Sequence, residues 1–214
     1  MLIPFTLKDF LEMVEIYNTT FWPMPILAYA IAFLALFFCF KKKSYSGKIV
    51  SGVLAFFWLW TGIVFNFLYF SKLFPSATVF AILFTIQGIL FLLTGVFRQN
   101  LSFRVKPDIY GIIGGIFIAY ALFGYPSLEY LLGRGYPQLL SFGIVPCPTA
   151  TFTLGLLLWS DKKLPGFIII IPVLYAISGI VPIYLGIIED TGLVIAGVLT
   201  AIFIFYRNHK RIVV

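Results

Sequence analysis

Pro75-Ser-Ala-Thr-Val-Phe-Ala-Ile-Leu-Phe-Thr-Ile-Gln-Gly-Ile-Leu-Phe-Leu-Leu-Thr-Gly-Val-Phe97 runs between Lys72 and Arg98 without one charged residue. At about 1.5 Å of rise per residue, a helix of this length crosses the roughly 30 Å hydrocarbon core of a bilayer. Six more apolar runs flank it, giving spans at about 21–40, 49–70, 75–97, 108–125, 138–159, 165–187 and 191–206. The composition agrees with lipid as the main solvent. The chain is 61% hydrophobic and 11% charged, whereas soluble domains carry about a quarter charged residues. Aromatic residues reach 19%, which suits lipid-facing helices and interfacial belts.

The loops between the runs set an orientation. Lys41, Lys42, Lys43 and Lys48 follow the first span, and Arg98, Arg104 and Lys106 the third. Lys162 and Lys163 follow the fifth, and Arg207, Lys210 and Arg211 the seventh. Of the 15 basic residues only Lys8, Lys72 and Arg134 lie on the other side, together with Asp9, Glu12, Glu15, Glu129, Glu189 and Asp190. The positive-inside rule then places the N-terminus outside and the C-terminus in the cytoplasm. The net charge of +7 is spent in these short clusters, which argues against a nucleic-acid partner.

The first seventeen residues carry Lys8, Asp9, Glu12 and Glu15, so no uncharged core of a cleavable signal peptide is expected there. Thr6 and Asp9 have capping-box spacing, and Phe5 and Phe10 that of a hydrophobic staple. Leu7, Phe10, Leu11 and Val14 share one helical face, opposite Lys8, Glu12 and Glu15. Residues 6–17 therefore read as an amphipathic helix on the outer membrane face, or alternatively as a lid over an external vestibule. A second interfacial helix is expected over Ser127–Leu132, stopped at Gly133. Asn18-Thr-Thr20 matches a glycosylation sequon, a pattern short enough to arise by chance.

The stretch Phe142-Gly-Ile-Val-Pro-Cys-Pro-Thr-Ala-Thr-Phe-Thr153 falls inside the fifth span. Pro146 and Pro148 lack N–H groups, so the carbonyls of Phe142 and Ile144 lose helical partners. An unpaired carbonyl in hydrocarbon costs several kcal/mol, so a broken helix here must face protein or a water-lined cavity. Cys147, Thr149, Thr151 and Thr153 could line a solute site or satisfy the freed backbone. A plain proline kink patched by threonines is the alternative. Pro23-Met-Pro25 opens the first span much as Pro146-Cys-Pro148 sits in the fifth, a suggestion of an internal repeat.

Other polar candidates are few. Trp58 and Trp60 are too deep for an interfacial belt and either pack or line a cavity. Asn66 and Gln87, in neighbouring spans, could bond across the bundle. Gly111, Gly115 and Ala119 form a small-residue stripe suited to close packing within one chain or between copies. Cys39 and Cys147 differ in depth by roughly 10–15 Å, so no disulfide is expected. No acidic or basic residue lies in the middle of a span. That argues against proton relays, retinal binding and intramembrane proteolysis, and no catalytic set is visible. A soft-metal transporter would depend on Cys147 alone, a poor donor set.

Pro4-Phe-Thr6, Tyr17-Asn18 with Trp22-Pro23, Trp58-Leu-Trp-Thr-Gly62, Leu101-Ser-Phe103 and Pro146-Cys-Pro-Thr149 occur in this order. In these motifs the chain resembles the prokaryotic membrane proteins grouped as domain of unknown function 6064. The resemblance implies a compact multi-span protein and no activity. Gly143–Ala150 is also similar to the Pro-Cys-Pro segment of nickel and cobalt efflux permeases. The histidine-rich and acidic elements of those permeases are missing here.

The expectation is thus an all-α bundle of seven spans in the cytoplasmic membrane, without cofactor or metal. Its leading role is a permease or channel for a small neutral or weakly polar solute. Its candidate site is Pro146, Cys147, Pro148, Thr149, Thr151, Thr153, Trp58, Trp60, Asn66 and Gln87. A non-transporting scaffold, assembly factor or sensor is the alternative.

Overall fold

The computed structural model describes residues 4–41 and 43–210. Lys42 and Arg211 of the basic clusters lie outside these residues, as do the side chains of His209 and Lys210. The described residues form eight helices: α1 Leu7–Thr20, α2 Met24–Phe40, α3 Ser46–Leu73, α4 Ala77–Phe97, α5 Ile109–Leu131, α6 Pro146–Leu158, α7 Gly166–Leu185 and α8 Asp190–Lys210. Five of them, α3, α4, α5, α7 and α8, are long and apolar enough to cross a membrane. Helices α1 and α2 would make a sixth if their 79° bend is taken as one broken span. Ile82, Ile112, Ile116, Leu174 and Ile202 are exposed on the flanks, where only lipid makes apolar exposure favourable. The chain is a polytopic membrane protein. Two of the seven expected spans are short helices, α2 with 17 residues and α6 with 13.

Helix α6 is the centre of the bundle. It packs against α3, α5, α7 and α8, and all 13 of its residues are buried. That placement accounts for its composition. A helix enclosed by others needs small side chains for close approach, not lipid-facing bulk. Helix α5 comes so near that a Cβ at Gly155 would lie 2.7 Å from the Gly114 carbonyl oxygen, and one at Gly114 would lie 2.7 Å from the Gly155 oxygen. The expected glycine stripe is thus split. Gly111 is buried and its carbonyl accepts from Trp159 Nε1 at 2.9 Å, Gly115 is half-buried, and Ala119 is exposed.

Pro146 and Pro148 begin α6, whereas the sequence had suggested that they interrupt a longer helix. Residues 138–145, expected as the start of the span, are non-helical. The first turn of a helix has N–H groups with no internal partner, so a proline there gives up a donor that would have been idle. Pro25 stands likewise in the first turn of α2. At the other end of α6, Arg207 donates to the carbonyls of Leu157, Leu158 and Ser160 at 3.4, 3.0 and 2.8 Å. A guanidinium is well suited to a helix C-terminus, where carbonyls lack partners and the dipole is negative.

At three prolines, Pro126 and Pro172 within helices and Pro148 in the first turn of α6, the carbonyl four residues earlier is met by a distant side chain. Pro126 would leave the Leu122 oxygen unpaired, and Tyr29 Oη donates to it at 2.8 Å. Pro172 would leave that of Ile168, and Gln87 Nε2 donates to it at 3.1 Å. Pro148 would leave that of Ile144, and Tyr17 Oη donates to it at 2.8 Å. Each pairing removes a buried orphan acceptor.

Helix α5 runs without a break to Leu131, so the short helix expected over Ser127–Leu132 is its last turns. Its backbone widens to π geometry over Tyr120–Gly124, just before Pro126, a local adjustment that makes room for the ring. Gly133, at φ 82°, then turns the chain away in the left-handed region that glycine tolerates.

Candidate functional site

At the α1 end of the bundle, the irregular segment 133–145 lies between helices and α1 closes over it. The capping box at Thr6 and Asp9 is present, and the Phe5 and Phe10 rings stack at 6.2 Å. The cap also holds the Asp9 carboxyl below its ordinary value, because the Thr6 backbone and side chain donate to it. The apolar face of α1 does not lie free on a surface. Phe10, Val14, Tyr17 and Asn18 are buried against the protein. Asn18 Nδ2 donates to the carbonyls of Pro137 and Leu139 at 2.6 and 2.7 Å. The sequon asparagine is thereby enclosed and occupied. Gln138 donates to Glu15 at 2.9 Å, a further tie between the two segments.

Beneath this cover is a cavity of about 380 Å3. Phe5 and Phe10 roof it, Phe65, Asn66 and Phe70 of α3 form one wall, and Tyr175, Pro182 and Leu185 of α7 another. Val145, Pro146 and Cys147 form part of its lining. Val79 of α4 and Val181 of α7 also line it and are 58% and 49% exposed. Its rim therefore reaches the flank of the bundle between those helices. The walls are almost entirely apolar, with the Cys147 thiol 3.2 Å from Tyr175 Oη at one side.

Of the residues proposed from sequence, the cavity touches Pro146, Cys147 and Asn66. The others are packed elsewhere. Thr149, Thr151 and Thr153 each donate to the carbonyl four residues earlier, at 2.6, 3.0 and 2.8 Å. Thr153 also accepts from Trp58 Nε1 at 2.9 Å. Trp60 Nε1 donates to Tyr17 Oη at 2.7 Å. Asn66 and Gln87 do not meet. Asn66 donates to Thr61 O at 2.8 Å, within the π-helical stretch of α3, and Gln87 serves Ile168. Pro148 lies in the first turn of α6 without facing the cavity.

A second feature adjoins the cavity, formed by residues that the sequence had placed in outer loops and in the short helix expected over Ser127–Leu132. Glu129, Arg134, Glu189 and Asp190 are enclosed together, at 0, 8, 1 and 0% exposure. Arg134 forms an ion pair with Glu189. Tyr125 Oη donates to Asp190 Oδ1 at 2.5 Å, the Leu140 N–H donates to Glu129 Oε1 at 2.8 Å, and Tyr120 Oη donates to the Glu189 carbonyl at 2.6 Å. Acids at the ends of helices and loops read as solvated from sequence alone, so burial was invisible there. The one available hint was that Glu129, Arg134, Glu189 and Asp190 were all assigned to the same side of the membrane. Among the described residues, no group of three His, Cys, Asp or Glu side chains is arranged to hold a metal ion.

A buried central helix, lipid-facing flanks and an apolar cavity under an amphipathic cover define a multi-span membrane protein with a small-molecule-sized pocket that opens on the flank of the bundle. Within that class, the chain belongs to the family of unknown function DUF6064, which matches it over residues 7–213. No curated protein and no solved structure matches it.

Proposed function

We propose that this protein binds a small neutral, largely apolar or weakly polar solute in the cavity beneath α1, and acts as its permease. In this reading the chain crosses the cytoplasmic membrane of a prokaryote seven times, with α1 outside and the C-terminus inside. Helix α6 and the irregular segment before it make the fifth crossing. The observation that carries the reading is the cavity itself, which lies against Pro146 and Cys147. Its size falls in the range of ligand pockets, about 300–1,000 Å3, and its walls match an apolar guest with one weakly polar end. Irregular backbone at depth is tolerated where it lines such a space.

Passage across the membrane requires a second conformation, because α6 is fully packed below Cys147. Helix α7 supplies flexible points at Pro172, Gly179 and Pro182. The same packing favours a second reading, in which the bound molecule is sensed and not moved.

Cysteine labelling tests the cavity. In a Cys39→Ser background, Cys147 is the only thiol. Small uncharged N-ethylmaleimide should modify it in the folded protein, and Val181→Trp at the rim should slow the reaction several-fold. A Cys147 that reacts only after denaturation would remove the cavity as a binding site. Flux of labelled neutral solutes into liposomes then separates the permease from the sensor.

A further inference from the structure

The enclosed acidic cluster carries more negative charge than its arginine balances. Arg134 is committed to Glu189, which leaves the carboxyls of Glu129 and Asp190. Glu129 accepts from the Leu140 N–H, and Asp190 accepts from Tyr125 Oη with the Cys147 thiol also against it. Glu129 Oε2, Glu189 Oε2 and Asp190 Oδ2 have no protein partner among the described residues, and neither do Arg134 Nε and Nη1. An ionised carboxylate enclosed in this way is strongly disfavoured, and taking up a proton is the ordinary escape.

Every neighbouring titratable group bears on the same balance. Tyr29 comes from α2, Tyr120 and Tyr125 from α5, Cys147 from α6 and Tyr175 from α7. All are neutral in their ordinary form near pH 7, so Arg134 is the only positive charge among them. The carboxyl oxygens are not gathered as a metal ion needs. A proton is the ligand that fits.

We propose that the Glu129–Asp190 pair, inside the cluster with Arg134 and Glu189, is a proton-binding site that stays loaded at neutral pH. The site lies behind Cys147 and Tyr175, both of which line the cavity. Loss of the proton puts negative charge behind an apolar wall. Binding of a neutral guest and binding of the proton then favour one another. This linkage rests on the cavity reading above, whereas the proton site does not.

Infrared spectroscopy of the purified full-length protein tests the site without any ligand. The native protein should keep the C=O band of a protonated carboxylic acid at neutral pH, well above the ordinary carboxylate range. Asp190→Asn with Glu129→Gln should abolish it, and Glu12→Gln on exposed α1 should leave it unchanged. Absence of the band from native protein at neutral pH overturns the proposal, whatever the variants do. Calorimetry with benzyl alcohol as a neutral probe tests the linkage. Affinity should fall several-fold as pH rises through the loss of the band, and Asp190→Asn should flatten that dependence. A band without pH-dependent affinity overturns the linkage. A band with no probe binding at all removes the cavity reading and upholds the proton site.

Discussion

Helix α6 and the cluster beside its N-terminus are equally hidden from solvent, yet they handle polar groups in opposite ways. In α6 every threonine hydroxyl bonds to the carbonyl one turn earlier, the prolines begin the helix, and Arg207 closes its far end. In the cluster, carboxyl and guanidinium atoms are enclosed without protein partners. The first arrangement holds one conformation. The second responds to charge, and it adjoins the cavity. Satisfied polar groups stabilise a buried helix, whereas unsatisfied ones beside a cavity mark where chemistry can change.

The largest expected effect breaks the cluster. Arg134→Met removes the partner of Glu189 and should destabilise the protein by about 3–5 kcal/mol, because a buried charge is left alone. Adding Glu189→Gln should recover most of that loss, as followed by thermal unfolding in detergent. If the single variant is as stable as native protein, the ion pair is not closed to solvent. A smaller effect is expected in the core. Gly155→Ala places a methyl group against the Gly114 carbonyl oxygen and should cost about 1–3 kcal/mol by forcing α5 and α6 apart.

Gln87→Leu sharpens the contrast further. It leaves the Ile168 oxygen unpaired and should cost about 1–2 kcal/mol. Pro172→Ala restores the helical N–H that this carbonyl lacks, so the cost of Gln87→Leu should shrink in that background. Equal costs in both backgrounds would show that Gln87 is not there for the proline. The smallest effect concerns the cover. The Asp9 carboxyl is held below its ordinary value by Thr6. Its stabilising contribution to α1 is therefore complete above pH about 4 and lost as pH falls through the lowered value. Amides of the first turn should exchange faster in acid, and Asp9→Asn should remove that dependence.

Much of the fold was legible because lipid imposes simple rules. The uncharged run from Pro75 to Phe97 became α4, and the capping box at Thr6 became the start of α1. Pro146 and Cys147 were legible as a place where helix geometry must change. The roles of Trp58, Trp60 and Gln87 were not. A polar side chain in a span bonds to whichever polar group lies nearest, and that partner is 95 residues away for Trp58, a threonine hydroxyl, and 81 for Gln87, a backbone carbonyl. The partners of Tyr17 and Tyr29 were hidden for the same reason, since nothing in a tyrosine's local sequence says which carbonyl it will meet.

The sequence by itself determined that most of this chain lives in lipid, where its apolar runs lie, and that helix geometry is disturbed at Pro146 and Pro148 in the fifth run. Those conclusions follow from transfer free energies and proline's missing N–H, which belong to residues one at a time. Tertiary structure decided that α6 is the enclosed centre, that α1 roofs a cavity, and that Glu129, Arg134, Glu189 and Asp190 share one buried cluster. Burial is a property of neighbours, and the groups gathered here come from positions 129 to 190. Whether an acid at a helix end meets water or another acid is settled only when those segments pack.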